Sequence, residues 1–126
     1  MQYVDFGRTG LRVSRLGFGG IPVQRIDEPG TRAMLKVEDG CTNFCTYCII
    51  PYARGPVRSL PLETAVAQTE QLRREGYREL VLTGIEISSW GHDLKNGQSL
   101  IDLLEAVSAA AGDMRLRLGS LEPRTI

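Results

Sequence analysis

The stretch Cys41-Thr42-Asn43-Phe44-Cys45-Thr46-Tyr47-Cys48 holds all three cysteines of the chain within eight residues. Thiolates are soft, anionic ligands, and the spacing C-x3-C-x2-C lets three of them converge on one metal centre if the loop curls around it. Residues 41–48 must therefore form a loop, and the segments on either side must hold it. Three protein ligands on a four-iron, four-sulfur cube leave one iron open to a small molecule, which makes a reactive site rather than an electron store. The alternatives are zinc and three incidental, hydrophobe-like cysteines. A structural zinc site wants a fourth protein ligand, and the single histidine, His92, lies far off with no local spacing to support a Cys3His set.

The remaining composition narrows the class. An apolar content of 42% with 24% charged residues over 126 positions suits a globular domain with a real core. No apolar run approaches the roughly 20 residues of a membrane span, and the N-terminus lacks a signal-peptide pattern, so a cytoplasmic protein is expected. An odd number of clustered cysteines points away from a disulfide framework and toward a reducing compartment. Fifteen basic and fifteen acidic residues cancel, so the chain as a whole lacks the electrostatic footprint of an autonomous nucleic-acid binder. Arg54 and Arg58 with Tyr52 form a local patch for RNA contact, or simply a solvated loop.

Taken in order, residues 2–6 and 11–14 are short β-prone runs around the turn-rich Gly7-Arg8-Thr9-Gly10, which reads as a hairpin. Leu16 to Gly20 reads as a strand ending in glycines; GFGG is not a phosphate-binding fingerprint, and a tight turn is the simpler reading. Ala33 to Val37 is predicted as a strand, with β-branched Val37 and the Asp39-Gly40 turn favouring it over a helix. Ile49 to Pro56 is broken by proline and glycine and is expected to be irregular. Pro61, Glu63 and the apolar or small positions Leu62, Ala65, Val66, Thr69 and Leu72 predict a helix stopped by Gly76. Glu79 to Thr83 predicts a strand in a sheet buried on both sides. After a loop over 84–97, Ser99 and Asp102 predict the capped start of a second helix with Leu100, Leu103, Leu104 and Val107 buried, closed by Gly112. Met114 to Gly119 predicts a third strand, with Arg115 and Arg117 on a face that needs water or an anionic partner.

Strand, helix, strand, helix, strand is the pattern of a parallel α/β sheet. Its loops at the carboxyl ends of the strands, 39–48, 84–86 and 120–123, fall on one rim, where such folds place their ligands.

Cys41, Cys45 and Cys48, with Tyr47 before the last, resemble the cluster motif of the radical S-adenosylmethionine enzymes. The run TRAMLKVEDGCTNFCTYCIIPYARGPVR, with LVLTGIEISSWGHDL and RLRLGSLEP, resembles the tRNA methylthiotransferases of the threonylcarbamoyladenosine branch over residues 31–126. This resemblance implies a partial TIM-like (β/α) barrel of about three βα units. It implies a 4Fe-4S cluster on the three cysteines and S-adenosylmethionine as cofactor. It makes Tyr47, Thr83, Gly84, Ile85 and Glu86 candidates for holding that cofactor, with Ser120 and Glu122 as further candidates for ribose or substrate. A solvated loop glutamate is the alternative for Glu86. Trp90 and His92 are candidates to face substrate, with a plain surface residue the preferred reading of His92. The implied partners are tRNA and an electron donor such as flavodoxin or ferredoxin.

The family's other parts, a second three-cysteine domain and an RNA-binding domain, have no counterpart here. Three strands are about half of such a barrel, which predicts an exposed inner face and an open edge after residue 119, and hence a homodimer or aggregation. Residues 1–30 resemble instead the N-terminal hairpin of the aldo-keto reductases, and none of that family's catalytic positions follows. The two resemblances meet near Thr31-Arg32-Ala33, which predicts a chimera or fusion with domains at 1–30 and 31–126. A chimeric α/β scaffold holding zinc or no metal, and a reductase-related fragment, are the competing readings.

Overall fold

The computed structural model describes residues 3–5, 12–14 and 31–122. Strands β1 (Tyr3–Asp5) and β2 (Arg12–Ser14) pair antiparallel, with Val4 opposite Val13, as expected for the hairpin. The predicted strand at 16–20 and its glycines lie outside the described residues.

The core is built on three parallel strands: β3 (Arg32–Lys36), β6 (Glu79–Thr83) and β7 (Arg115–Leu118), in the order β3-β6-β7. Between β3 and β6 the chain forms β4 (Glu38–Asp39), α1 (Ile50–Arg54), β5 (Arg58–Ser59) and α2 (Leu62–Arg74); α3 (Leu100–Ala111) joins β6 to β7. The registers Ala33↔Leu80↔Leu116 and Leu35↔Leu82↔Leu118 stack apolar side chains in rows on one face. Helices α2 and α3 cover that face. Ala65 and Thr69 of α2, Leu103, Val107 and Ala111 of α3, and Leu80 and Leu82 of the sheet form the buried core. Helix α3 starts on the predicted capping box, in which the Ser99 side chain bonds the Asp102 backbone and the Asp102 carboxylate accepts from Ser99.

Two expectations are corrected. Ile50–Arg54 is a helix rather than irregular chain, because Pro51 falls in its first turn, where the missing N–H costs nothing; Gly55, at φ 78°, ends it. Strand β6 is buried on one face only. Glu79, Val81 and Thr83 on the other face are half-buried, so the inner face expected to be exposed is partly covered at this strand. The arginines of β7 do find an anionic partner, since Arg117 Nε lies 3.1 Å and Arg115 Nη1 3.7 Å from Glu79 Oε2, and Arg32 pairs with its other oxygen. Although burial pushes the Glu79 carboxyl up, Arg117 and Arg32 hold it below its ordinary value.

Candidate functional site

The carboxyl ends of the three parallel strands are laced together by backbone hydrogen bonds. Val37 N–H donates to Thr83 O (2.9 Å), Gly119 N–H to Leu82 O (2.9 Å) and Ile87 N–H to Ser120 O (3.1 Å). The segments after β3, β6 and β7 therefore meet on one rim, as the strand order requires.

The cysteine loop leaves this rim through a clamp. Cys41 N–H donates to Gly55 O at 3.1 Å, closing residues 41–55 into a loop. Gly40 makes the closure possible: its φ is 85°, and a Cβ there would stand 2.0 Å from Pro56 O. Asp39 secures the same base. Its carboxylate takes Lys36 Nζ at 2.8 Å, Arg54 Nη1 at 3.3 Å and Arg58 Nη2 at 3.5 Å. The Lys36 hydrogen bond, above all, holds its pKa down to about 2. Arg54 and Arg58, read from sequence as an RNA patch or a solvated pair, thus brace the foot of the loop. Arg58 also donates to Arg54 O at 2.8 Å.

Within the loop, Cys41 and Cys48 are half-buried and Cys45 is exposed, all three as free thiols. Cys48 N–H donates to Cys45 O (2.9 Å), and Asn43 N–H approaches Cys41 Sγ at 3.5 Å. Among the described residues no three His, Cys, Asp or Glu side chains gather closely enough to hold a metal, so the three sulfurs are not brought to one point. The donor set nonetheless fits an iron–sulfur cluster: three unoxidised thiols on a tethered, solvent-facing loop, each accessible to a soft metal. Tyr47 is 94% exposed, and Phe44 packs edge-on against Tyr52.

On the second segment, Thr83 and Gly84 are half-buried and Glu86 is buried. The solvated alternative for Glu86 is thereby overturned. Its carboxylate accepts from the Ser88 backbone and hydroxyl, which caps a short 3-10 turn over Ile87–Ser89. On the third segment, Ser120 is exposed at φ 61°, and Glu122 is half-buried. Trp90, a candidate to face substrate, is wholly buried. Its indole N–H donates to Leu60 O at 3.0 Å, so it belongs to the core. His92 is exposed and, with Ser88, Leu100 and Leu118, lines an apolar groove of about 430 Å³ beside β7.

One residue of the rim escaped the sequence reading. Glu38 is buried, and its Oε2 accepts from both Ile85 N–H (2.7 Å) and Glu86 N–H (2.9 Å). Next to Asp39 and Gly40 an acidic residue reads as part of a solvated turn, and no local pattern separates it from one.

The sequence profile of the Radical SAM superfamily matches residues 35–123, which span every segment of this rim. The chain is 44% identical over 107 residues, 85% of its length, to tRNA-2-methylthio-N(6)-dimethylallyladenosine synthase of Carboxydothermus hydrogenoformans, of which it covers 24%. It is 45% identical over 96 residues, 76% of its length, to threonylcarbamoyladenosine tRNA methylthiotransferase MtaB of Bacillus subtilis, covering 21% of that protein. The match to MtaB of Aquifex aeolicus is 46% over 92 residues, covering 73% of this chain and 22% of the relative. The chain thus spans less than a quarter of the length of these relatives. With the cysteine loop, the parallel strands and the rim all inside the matched region, the chain belongs to the radical SAM superfamily.

Proposed function

We infer that this chain is the cofactor-handling part of a radical S-adenosylmethionine enzyme that modifies tRNA, of the methylthiotransferase type. The observation that carries the reading is the placement of the three-cysteine loop: it issues from the same rim, two residues past β4, to which the Gly84–Glu86 turn and Ser120 are laced. Cys41, Cys45 and Cys48 would hold a 4Fe-4S cluster, and such a cluster supplies one-electron reductive cleavage of S-adenosylmethionine when loaded. The chain's own residues do the positioning. Gly40 and the Asp39 cation ring fix where the loop begins, and the 84–86 turn presents its backbone beside it. Thr83, Gly84 and Glu86 are assigned to the cofactor, with Ser120, Glu122 and exposed Tyr47 at its periphery.

The relatives' names divide between dimethylallyl- and threonylcarbamoyl-modified adenosine at nearly equal identity. The shared chemistry, methylthiolation of an N6-modified adenosine in tRNA, is therefore the substrate class assigned here, with a flavodoxin- or ferredoxin-like protein as electron donor. The described parallel sheet is assigned as part of a TIM-like barrel and residues 1–30 as a separate N-terminal unit.

Anaerobic reconstitution with ferrous iron and sulfide tests the assignment. The chain is expected to take up about four irons with visible charge-transfer absorbance, and Cys45→Ala to lose most of both. Stoichiometric zinc without such absorbance, or equal iron in Cys45→Ala, would overturn it.

A further inference from the structure

A single side chain joins the ends of β3 and β6. Glu38 is 1% exposed, and both amides that follow Gly84 aim at its Oε2. Two successive N–H groups directed at one oxygen form an anion-binding concavity, filled here by a residue 47 positions upstream of Ile85. Gly84 is shaped to the same contact: a Cβ there would lie 2.5 Å from Glu38 Oε2 and 3.0 Å from Glu38 Cβ. The arrangement is costly. Glu38 Oε1 is buried with no hydrogen-bond partner, a penalty of about 1–3 kcal/mol for such an acceptor. Burial first, then the charges of Asp39 and Glu86, push the carboxyl above its ordinary value against the pull of the two amides. An apolar side chain would escape these penalties but strand both amides. The contact also reaches the cysteine loop, because Gly40 and Cys41, two and three residues on, are clamped to Pro56 and Gly55.

We propose that Glu38 is a positioning residue that fixes the Gly84–Glu86 turn to the strand end leading into the cysteine loop, so that ligand binding at the turn depends on an acceptor oxygen at position 38 and not on its charge. This rests on the assignment of residues 41–48 and 84–86 to cluster and S-adenosylmethionine, and the test separates the two ideas. Amide hydrogen exchange is measured on the chain as purified, and S-adenosylmethionine affinity by equilibrium dialysis on the reconstituted chain.

In Glu38→Ala, protection of the Ile85 and Glu86 amides is expected to fall about tenfold or more, and S-adenosylmethionine to bind about tenfold more weakly at unchanged iron content. Glu38→Gln keeps a carbonyl oxygen for both amides and is expected to restore both readouts. Gly84→Ala is expected to lower amide protection in the parent but to add little on top of Glu38→Ala. Unchanged protection in Glu38→Ala overturns the proposal, as does Glu38→Gln falling together with Glu38→Ala. Should Glu38→Ala fail to fold, unchanged protection in Gly84→Ala overturns it and reduced protection supports it. A parent chain that takes up no iron sinks the cluster assignment, and the exchange data then decide the role of Glu38 alone.

Discussion

Trp90 is the largest wholly buried side chain among the described residues, and its burial changes what the loop after β6 is for. An aromatic in a long, polar loop reads as a surface that meets a ligand. Here its indole lies in the core and its N–H ties that loop to Leu60, just ahead of α2. Removing the ring leaves a large cavity and an unpaired carbonyl, so Trp90→Ala is expected to cost about 3–5 kcal/mol in urea unfolding. Trp90→Phe, losing the hydrogen bond and part of the volume, should cost about 1–2 kcal/mol. Sequence spacing could not have revealed this, because the contact pairs residues 30 positions apart. The cysteines stand at the other extreme: their spacing carries its meaning locally, whatever the fold around them. Glu38 lies between, a residue whose type suggests solvent and whose position, opposite a glycine 46 residues later, gives it a buried task.

At the scale of elements, the strands and helices that rest on periodicity and caps were legible, since alternating Ala33 and Leu35, the Leu103/Val107 stripe and the Ser99–Asp102 box each state their own geometry. What was not legible depends on partners. Helix α1 needed Pro51 to be seen as a start rather than a break, and β4 exists only because β5 returns beside it with Glu38 opposite Ser59. The same β5 tethers the long loop. Asp93 accepts from Ser59 N–H at 3.0 Å and from the Ser59 hydroxyl, which in turn accepts from Gly91 N–H at 2.8 Å. Burial works to raise the Asp93 carboxyl, but these Ser59 bonds prevail and lower it below its ordinary 3.8. The stability this contributes is complete above pH 3.8 and is lost as pH falls through the lowered folded value. Asp93→Asn has no charge to lose. Its urea midpoint is therefore expected to lie below the parent's at pH 7 and to approach it as pH falls through the lowered folded value. Glu38 acts in the opposite sense: its raised value withdraws stability as pH rises above 4.5, so Glu38→Gln should gain relative to the parent between acid and neutral pH.

For the molecule as a whole, one face of the sheet is covered, and the two outer strands β3 and β7 each pair on one side only among the described residues. Helices α2 and α3 bury the rows of Ala33, Leu35, Leu80 and Leu82, while β7 pairs only with β6 among the described residues. Beside that strand, Leu118 and Leu121 are exposed together with Ile101, and they line the apolar groove of about 430 Å³. No helix among the described residues is long and apolar enough to cross a membrane. An unpaired strand edge flanked by leucines is a template for pairing with a second strand, and two copies can satisfy each other across a two-fold axis by joining their β7 edges. The chain is therefore expected to self-associate in a concentration-dependent way, visible as a rising weight-average mass in sedimentation equilibrium. Leu118→Glu places a charge at the exposed end of the Leu35, Leu82, Leu118 row and should shift the population toward monomer while leaving the cysteine loop untouched. A parent that stays monomeric over a hundredfold concentration range, about 3 kcal/mol of association free energy, would remove the edge as an interaction surface.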